Sequence, residues 1–317
     1  MKERTSSSPS GRHVGHYKAA AQNEFLTDLH CRMMTIPFQA GFSPKRWQKV
    51  IDVMLEKDVG CPRIHRLRIL ALLESDFNQA VRILIARQIG FQMEDHGIIP
   101  SMQYGSREGR QCISAVLNKQ LTHDIIRHKK STAAFIENDA VGCYDRMVNN
   151  LLLLELRRLG LPETVAMTLS HTWAEAVHHI KTQYGISETF YKNNIECRLF
   201  GPGQGSTLGP FLWLILFTLI VSSVLPSIPR IHLTSGDGTV SVHDLGEAFV
   251  DDSAVGCTSD LPPDPTESME AHQCRLEQDA MNNLQILAQH WERLLFATWG
   301  ALCLSKKLLV LNIMEME

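Results

Sequence analysis

The residues best suited to chemistry in this 317-residue chain are carboxylates. Asp251 and Asp252 stand side by side in Ala248-Phe249-Val250-Asp251-Asp252-Ser253-Ala254-Val255, where two short apolar runs flank the acidic pair. That is the pattern of a tight hairpin carrying carboxylates at its tip. Adjacent acids between apolar strands repel each other and lose hydration unless a cation neutralises them. Oxygen donors with no His or Cys nearby favour Mg²⁺ or Mn²⁺ over zinc. Two such ions a few ångströms apart would activate a sugar 3′-hydroxyl and stabilise a leaving pyrophosphate. Taken alone, an Asp-Asp dipeptide reads more readily as a solvated turn. A third acid, Asp139, follows the apolar run Thr132-Ala133-Ala134-Phe135-Ile136, which has the texture of a buried strand. Gly201-Pro202-Gly203-Gln204-Gly205-Ser206-Thr207 forms a glycine loop ahead of an apolar segment. It is neither a Walker loop nor GxGxxG, and by itself reads as a pre-helix turn whose amides could meet a phosphate.

The elements that must position these residues follow from periodicity and punctuation. Residues 1–20 read as an irregular polar arm, and 21–56 as helical stretches broken at Gly41-Phe42-Ser43-Pro44, with Ser43 capping a helix that starts at Pro44. Lys57 to Pro62 reads as a turn between extended segments. An amphipathic helix is expected over Glu74–Met93 and a second helix over Gln111–Arg127, then helices over Val148–Leu159 and Pro162–Lys181, separated by Gly160-Leu161-Pro162. Residues 186–200 are β-prone, and 230–257 hold two or three short strands with a turn at Ser235-Gly236-Asp237-Gly238. A proline- and acid-rich loop at 259–267 leads into a long helix, Ser268–Thr298, and a last apolar run, Leu308–Ile313. Leu208–Leu225 has about the length of a marginal membrane span, but Pro210, Thr218, Ser222 and Ser223 and the lack of basic flanks favour a buried core helix.

Composition narrows the class. With 44% hydrophobic and 21% charged residues, the chain is neither disordered, collagen-like nor a disulfide scaffold. Its eight cysteines stand singly, with no zinc spacing. The N-terminus lacks an apolar signal core, so reduced thiols and an intracellular location are expected, nucleus or cytoplasm unresolved. The net charge of −3 hides an asymmetry: residues 1–130 carry 20 Lys and Arg against 12 acids, residues 131–317 carry 11 against 22. A basic front suits a polyanion and an acidic back suits metal ions, although solvated charged faces would look the same.

Taken in order, Phe135…Asp139…Tyr144-Asp145, Gly203-Gln204-Gly205-Ser206…Pro210 and Phe249-Val250-Asp251-Asp252 resemble motifs A, B and C of a reverse transcriptase palm. The resemblance extends to Lys57…Leu67-Arg68-Ile69-Leu70, to Gln103-Tyr104-Gly105-Ser106-Arg107-Glu108-Gly109-Arg110 ahead of motif A, and to Trp299-Gly300-Ala301-Leu302-Cys303-Leu304-Ser305-Lys306 as motif D. It covers about residues 45–307 and is nearest to non-LTR, LINE-like retroelements. It implies an α+β fold with a right-hand polymerase palm, an antiparallel sheet backed by helices, and a fingers subdomain. The expected division is 1–44 as an N-terminal arm and helical extension, 45–130 as fingers, and 131–317 as palm.

The resemblance also implies roles. Asp139, Asp251 and Asp252 would hold two Mg²⁺ ions, with Mn²⁺ as a substitute. Tyr144 would stack under the sugar and exclude a 2′-hydroxyl, and Gly203, Gln204 and Gly205 would line the nucleotide and template site. Arg68 and Lys57 would contact the triphosphate, and Lys306 would assist the leaving pyrophosphate; Asp145 would support local structure. The implied activity is RNA-directed DNA polymerisation, with an RNA template, a DNA primer and deoxynucleoside triphosphates as partners, no membrane, and no stated oligomeric state. Trp299 departs from the expected glycine, and only eleven residues follow Lys306, so a thumb is expected to be absent. The rival expectation is a catalytically silent palm-like remnant that binds RNA or protein as a scaffold.

Overall fold

The computed structural model describes residues 9–61, 63–140, 142–224, 229–299 and 303–311. Along the chain, helices α1 (Val14–Ala20) and α2 (Glu24–Ala40) precede strands β1 (Lys49–Glu56) and β2 (Leu67–Leu72). Next come α3 (Ser75–Ala80), a π-helical turn (Val81–Arg87), α4 (Gln88–Asp95), α5 (Cys112–Lys129) and β3 (Thr132–Ala140). Helices α6 (Asn149–Arg158) and α7 (Glu163–Ala174) lead to β4 (Val177–Thr182), β5 (Gly185–Ile186) and β6 (Tyr191–Lys192). The remainder is α8 (Gly209–Val224), β7 (Ile231–Thr234), β8 (Ser241–Asp244), β9 (Gly246–Phe249), β10 (Asp252–Ser259), α9 (Met269–Trp299) and β11 (Cys303–Leu311). The fold is mixed α+β. Two compact units each draw on two stretches of chain: residues 1–95 with 144–215, and 96–143 with 216–317.

The first unit is built on a sheet in the order β2-β1-β4-β5, with β6 also paired to β4. β1 and β2 form an antiparallel hairpin, and β4 joins β1 in parallel. Its core is an aromatic cluster of tilted rings in which Trp47, 0% exposed, lies 5.5 Å from Phe38 and 5.2 Å from Phe77 between ring centroids. Each such buried side chain contributes about 1.5–3 kcal/mol. Trp47 Nε1 donates to Asp76 Oδ1 at 3.0 Å, and Arg46 forms an ion pair with the same carboxylate, so the cluster is tied to a buried acid.

Four expectations for this unit are corrected. Val14–Ala20 is helix α1, not irregular arm. Residues 45–48 form a turn rather than a helix capped by Ser43; the Ser43 hydroxyl instead accepts from Thr172 Oγ1 at 2.9 Å. Residues 49–56 are strand, not helix. Helix α7 stops at Ala174, and 177–182 is strand β4, because the backbone from Val177 pairs with β1 instead of continuing the helix.

The second unit holds an antiparallel sheet in the order β11-β3-β10-β9, with β7 and β8 as a separate hairpin. Helix α9 packs along β3 and β10 through Ala280, Leu284, Leu287, Trp291 and Leu295, a stripe at helical spacing that is buried throughout. Trp291 meets Phe217 of α8 edge-on at 5.8 Å. Gly256 lies opposite Phe135 in register, and a Cβ there would come within 2.5 Å of the ring, so the glycine makes room for the phenylalanine. Among the described residues, no helix is long and apolar enough to cross a membrane, and α8, the expected core helix, is buried along most of its length.

Candidate functional site

The three acidic positions fall at one end of the second unit's sheet. β10 and β3 run antiparallel with Asp252 opposite Asp139, and β9 and β10 close with Phe249 opposite Asp252. Val250 and Asp251 are left as a two-residue loop, so the hairpin has its acids at and beside the tip, as its sequence pattern predicts. On the other flank of β3, Leu304 of β11 lies opposite Asp139, and the register slips between Ser305 and Lys307, at Lys306. The side chains of Asp139, Trp299 and Lys306 lie outside the described residues, as do residues 300–302 of motif D. Asp251 is half-buried and Asp252 exposed. Among the described residues no three His, Cys, Asp or Glu side chains gather as metal ligands. Asp251 and Asp252 nonetheless supply oxygen-only donors, the set that suits Mg²⁺ or Mn²⁺, beside the strand position of Asp139.

The hairpin is strained. Val250 has φ 59° whereas Asp251 does not share a positive φ, the combination of a type II′ turn, in which glycine normally takes the first place. A β-branched residue in that conformation costs about 1–3 kcal/mol and persists only where its surroundings hold it. Here the surroundings are the segment 102–105. Ala248 N–H donates to Met102 O and Tyr104 N–H to Ala248 O, each at 2.8 Å, so the segment runs beside β9 with Gln103 bridged in parallel to Ala248. The Gln103 side chain, in a residue 0% exposed, takes both polar groups of the Val250 backbone: Val250 N–H donates to Oε1 and Nε2 donates to Val250 O, both at 3.0 Å. Gly105 N–H donates to the same Oε1 at 2.8 Å.

Two residues before Phe249, Glu247 is 6% exposed and accepts from Asn118 Nδ2 at 2.8 Å. Burial, with the neighbouring Asp244 carboxylate adding to it, pushes its carboxyl up to about 7.

The remaining expected site residues fall in the first unit. Glycine loop 201–205 lies against β2, where Ala71 N–H donates to Gln204 O at 2.7 Å. A Cβ on Gly205 would fall 2.3 Å from Ala71 O, and one on Gly203 3.0 Å from Ala71 Cβ. Tyr144 is wedged beside the loop, since a Cβ on Gly201 would be 1.8 Å from its carbonyl oxygen and one on Gly209 3.2 Å from its ring. Arg68 is exposed on β2 opposite Leu55, and Lys57 follows β1, its N–H donating to Arg66 O at 3.1 Å. The structure therefore brings Tyr144, Gly203, Gln204 and Gly205 together beside the strand bearing Arg68.

A cavity of about 170 Å³ opens beneath this loop, walled by Trp47, Trp173, Phe200 and the loop backbone. On its wall Asp52, 1% exposed, receives hydrogen bonds from His178 Nδ1 at 2.9 Å and from the Tyr191 hydroxyl. Burial, reinforced by that acceptor, raises the Tyr191 phenol above its ordinary range. Sequence reasoning missed this cluster and gave Gln103 no role. Asp52 carried a signal, a lone acid inside the apolar run Val50-Ile51-Asp52-Val53.

No protein-family model matches the chain, and no curated protein does. Among solved structures it is similar to telomerase from Candida albicans in complex with a TWJ fragment of telomeric RNA, with 12% identity, 87% of this chain and 44% of that chain covered, and a TM-score of 0.50. It is likewise similar to apo telomerase from Candida tropicalis truncated from its C-terminal domain, with 14% identity, 85% and 51% coverage and a TM-score of 0.53. The chain spans about half the length of these structures, 44% and 51%. At such identities the likeness is one of fold, and the class it defines is coarse: a reverse-transcriptase-like fold of the telomerase kind.

Proposed function

We propose that this chain is the polymerase portion of a reverse transcriptase of the retrotransposon type, adding deoxynucleotides to a primer 3′-hydroxyl under the direction of an RNA template. The observation that carries the reading is the hairpin with Asp251 in its loop and Asp252 in register with Asp139, within a fold of the telomerase kind.

Phosphoryl transfer asks a protein for positioning and charge neutralisation more than for a nucleophile of its own. Asp139, Asp251 and Asp252 would hold two Mg²⁺ ions, or Mn²⁺ in their place, at the end of the sheet. When bound, such ions supply Lewis acidity that lowers the pKa of a 3′-hydroxyl and balances charge on a leaving pyrophosphate. The protein's own cations do the rest: Arg68 and Lys57 bind triphosphate oxygens, and Lys306 neutralises or protonates the departing pyrophosphate oxygen. The Tyr144 ring packs against the sugar and rejects a 2′-hydroxyl. Gln204, held on β2 through its carbonyl, and its flanking glycines offer backbone close to the nucleotide and template.

Template dependence tests this reading. On poly(rA) annealed to oligo(dT), with Mg²⁺ and then Mn²⁺ at low salt, the wild-type chain is expected to incorporate dTTP and to ignore dGTP. A folded chain that binds the RNA yet incorporates neither nucleotide with either ion would replace the polymerase by the RNA-binding scaffold.

A further inference from the structure

We propose that Gln103 is the positioning residue of the carboxylate hairpin, locking the strained Val250 backbone so that Asp251 is presented in one orientation; this rests on the polymerase reading above. Three features carry it. First, Val250 occupies the left-handed region at φ 59°, where glycine is the usual tenant of this turn. Left to itself a valine would relax, and the peptide bearing Asp251 would rotate with it.

Second, one side chain grips both polar groups of that residue. Oε1 accepts from Val250 N–H and Nε2 donates to Val250 O, both at 3.0 Å, so rotation of either flanking peptide breaks a bond to a side chain that is fully buried. The amide cannot flip to compensate, because Gly105 N–H also donates to Oε1 at 2.8 Å and a reversed amide would turn a donor towards two donors. Third, the approach is closed sterically. A Cβ on Gly105 would lie 2.3 Å from Val250 N, so only glycine at 105 lets the segment come near enough. The segment itself is anchored by its two backbone hydrogen bonds to Ala248, so the clamp is mounted on the strand leading into the turn. Gln103 is 147 residues from Val250 along the chain and offers no side-chain group to solvent. It acts through the backbone of the loop and not on any reactant.

The test uses the full chain and two readouts that do not need activity: Mn²⁺ binding followed by electron paramagnetic resonance, and hydrogen exchange at the Val250 amide. Wild type is expected to bind Mn²⁺ at least tenfold more tightly than Asp251→Asn. Gln103→Met is expected to fold, to lose Val250 protection at least tenfold and to weaken Mn²⁺ binding about tenfold. Adding Val250→Gly to Gln103→Met is expected to recover most of that binding, because glycine holds the turn without a clamp; a side chain needed only for packing gives no such rescue. If Gln103→Met does not fold, Gln103→Glu takes its place, keeping the acceptor for Val250 N–H and losing the donor to Val250 O, with weaker Mn²⁺ binding as the expected loss. Wild-type protection and wild-type Mn²⁺ binding in the folded variant overturn the proposal while leaving the polymerase reading intact. Mn²⁺ binding that is equally weak in wild type and Asp251→Asn defeats the polymerase reading, and the positioning role falls with it.

Discussion

The glycine loop of the first unit and the carboxylate hairpin of the second solve one backbone problem in opposite ways. Both need residues at positive φ. The loop uses glycine at each place, with Gly201 at 70°, Gly203 at 77° and Gly205 at 127°, and so takes these turns without steric cost. The hairpin puts valine at 59° and relies on a buried glutamine to keep it there. A conformation intrinsic to its residues is robust to what surrounds it. One imposed by a distant side chain can be set, and lost, from outside.

The contrast between loop and hairpin is tested most severely by Gly201→Ala. The added methyl would meet the Tyr144 carbonyl oxygen at 1.8 Å in a backbone region that L residues avoid. A loss of about 3–5 kcal/mol is expected in urea denaturation, and a loss below about 1 kcal/mol would mean that the loop yields easily.

Buried acids extend the contrast. Asp52 in the first unit is met by two donors, whereas Glu247 in the second has Asn118 as donor but faces the Asp244 carboxylate. Because folding raises Glu247 from 4.5 to about 7, the folded state holds its proton more tightly than the unfolded state. Stability is full below the unfolded value, declines as pH rises between the two values, and stays lowered above the folded one. Glu247→Gln, which can still accept from Asn118, is therefore expected to be near neutral at pH 4 and to stabilise by about 2–3 kcal/mol at pH 8. An equal offset at both pH values in denaturant titrations would refute the assignment.

The smallest effect is expected for Val250→Gly. Relief of strain outweighs the added freedom of the unfolded chain by little, so a stabilisation of between zero and about 2 kcal/mol is expected. A loss matching that of Gly201→Ala would erase the distinction between the two regions.

What the sequence revealed follows the same division. The strand 132–140, the hairpin at 246–259 and the helix 269–299 were legible because their patterns are local: an apolar run ending in an acid, two runs flanking an acidic pair, and a stripe at helical spacing. Strand β1 was not. Lys49, Asp52 and Glu56 recur at helical intervals, and Asp52 is tolerated inside the sheet only through His178 and Tyr191, more than 120 residues away. Strand β4 failed for a related reason, since the continuous reading of 162–181 as helix gave no weight to parallel pairing with β1. Gln103 was visible as part of a segment that resembles a reverse transcriptase element, but its work depends on a loop it meets only after folding.

The proposed role of the carboxylate hairpin is to be the centre of a templated polymerisation. It is tested most directly by single-nucleotide incorporation on an RNA template with a DNA primer, comparing wild type with Asp251→Asn, which preserves shape and removes one ligand charge. Incorporation by wild type is expected to depend on Mg²⁺ or Mn²⁺ and to fall by a factor of about 10³ or more in the variant, as the loss of a principal charge-stabilising group requires. Incorporation by Asp251→Asn at the wild-type rate would contradict it.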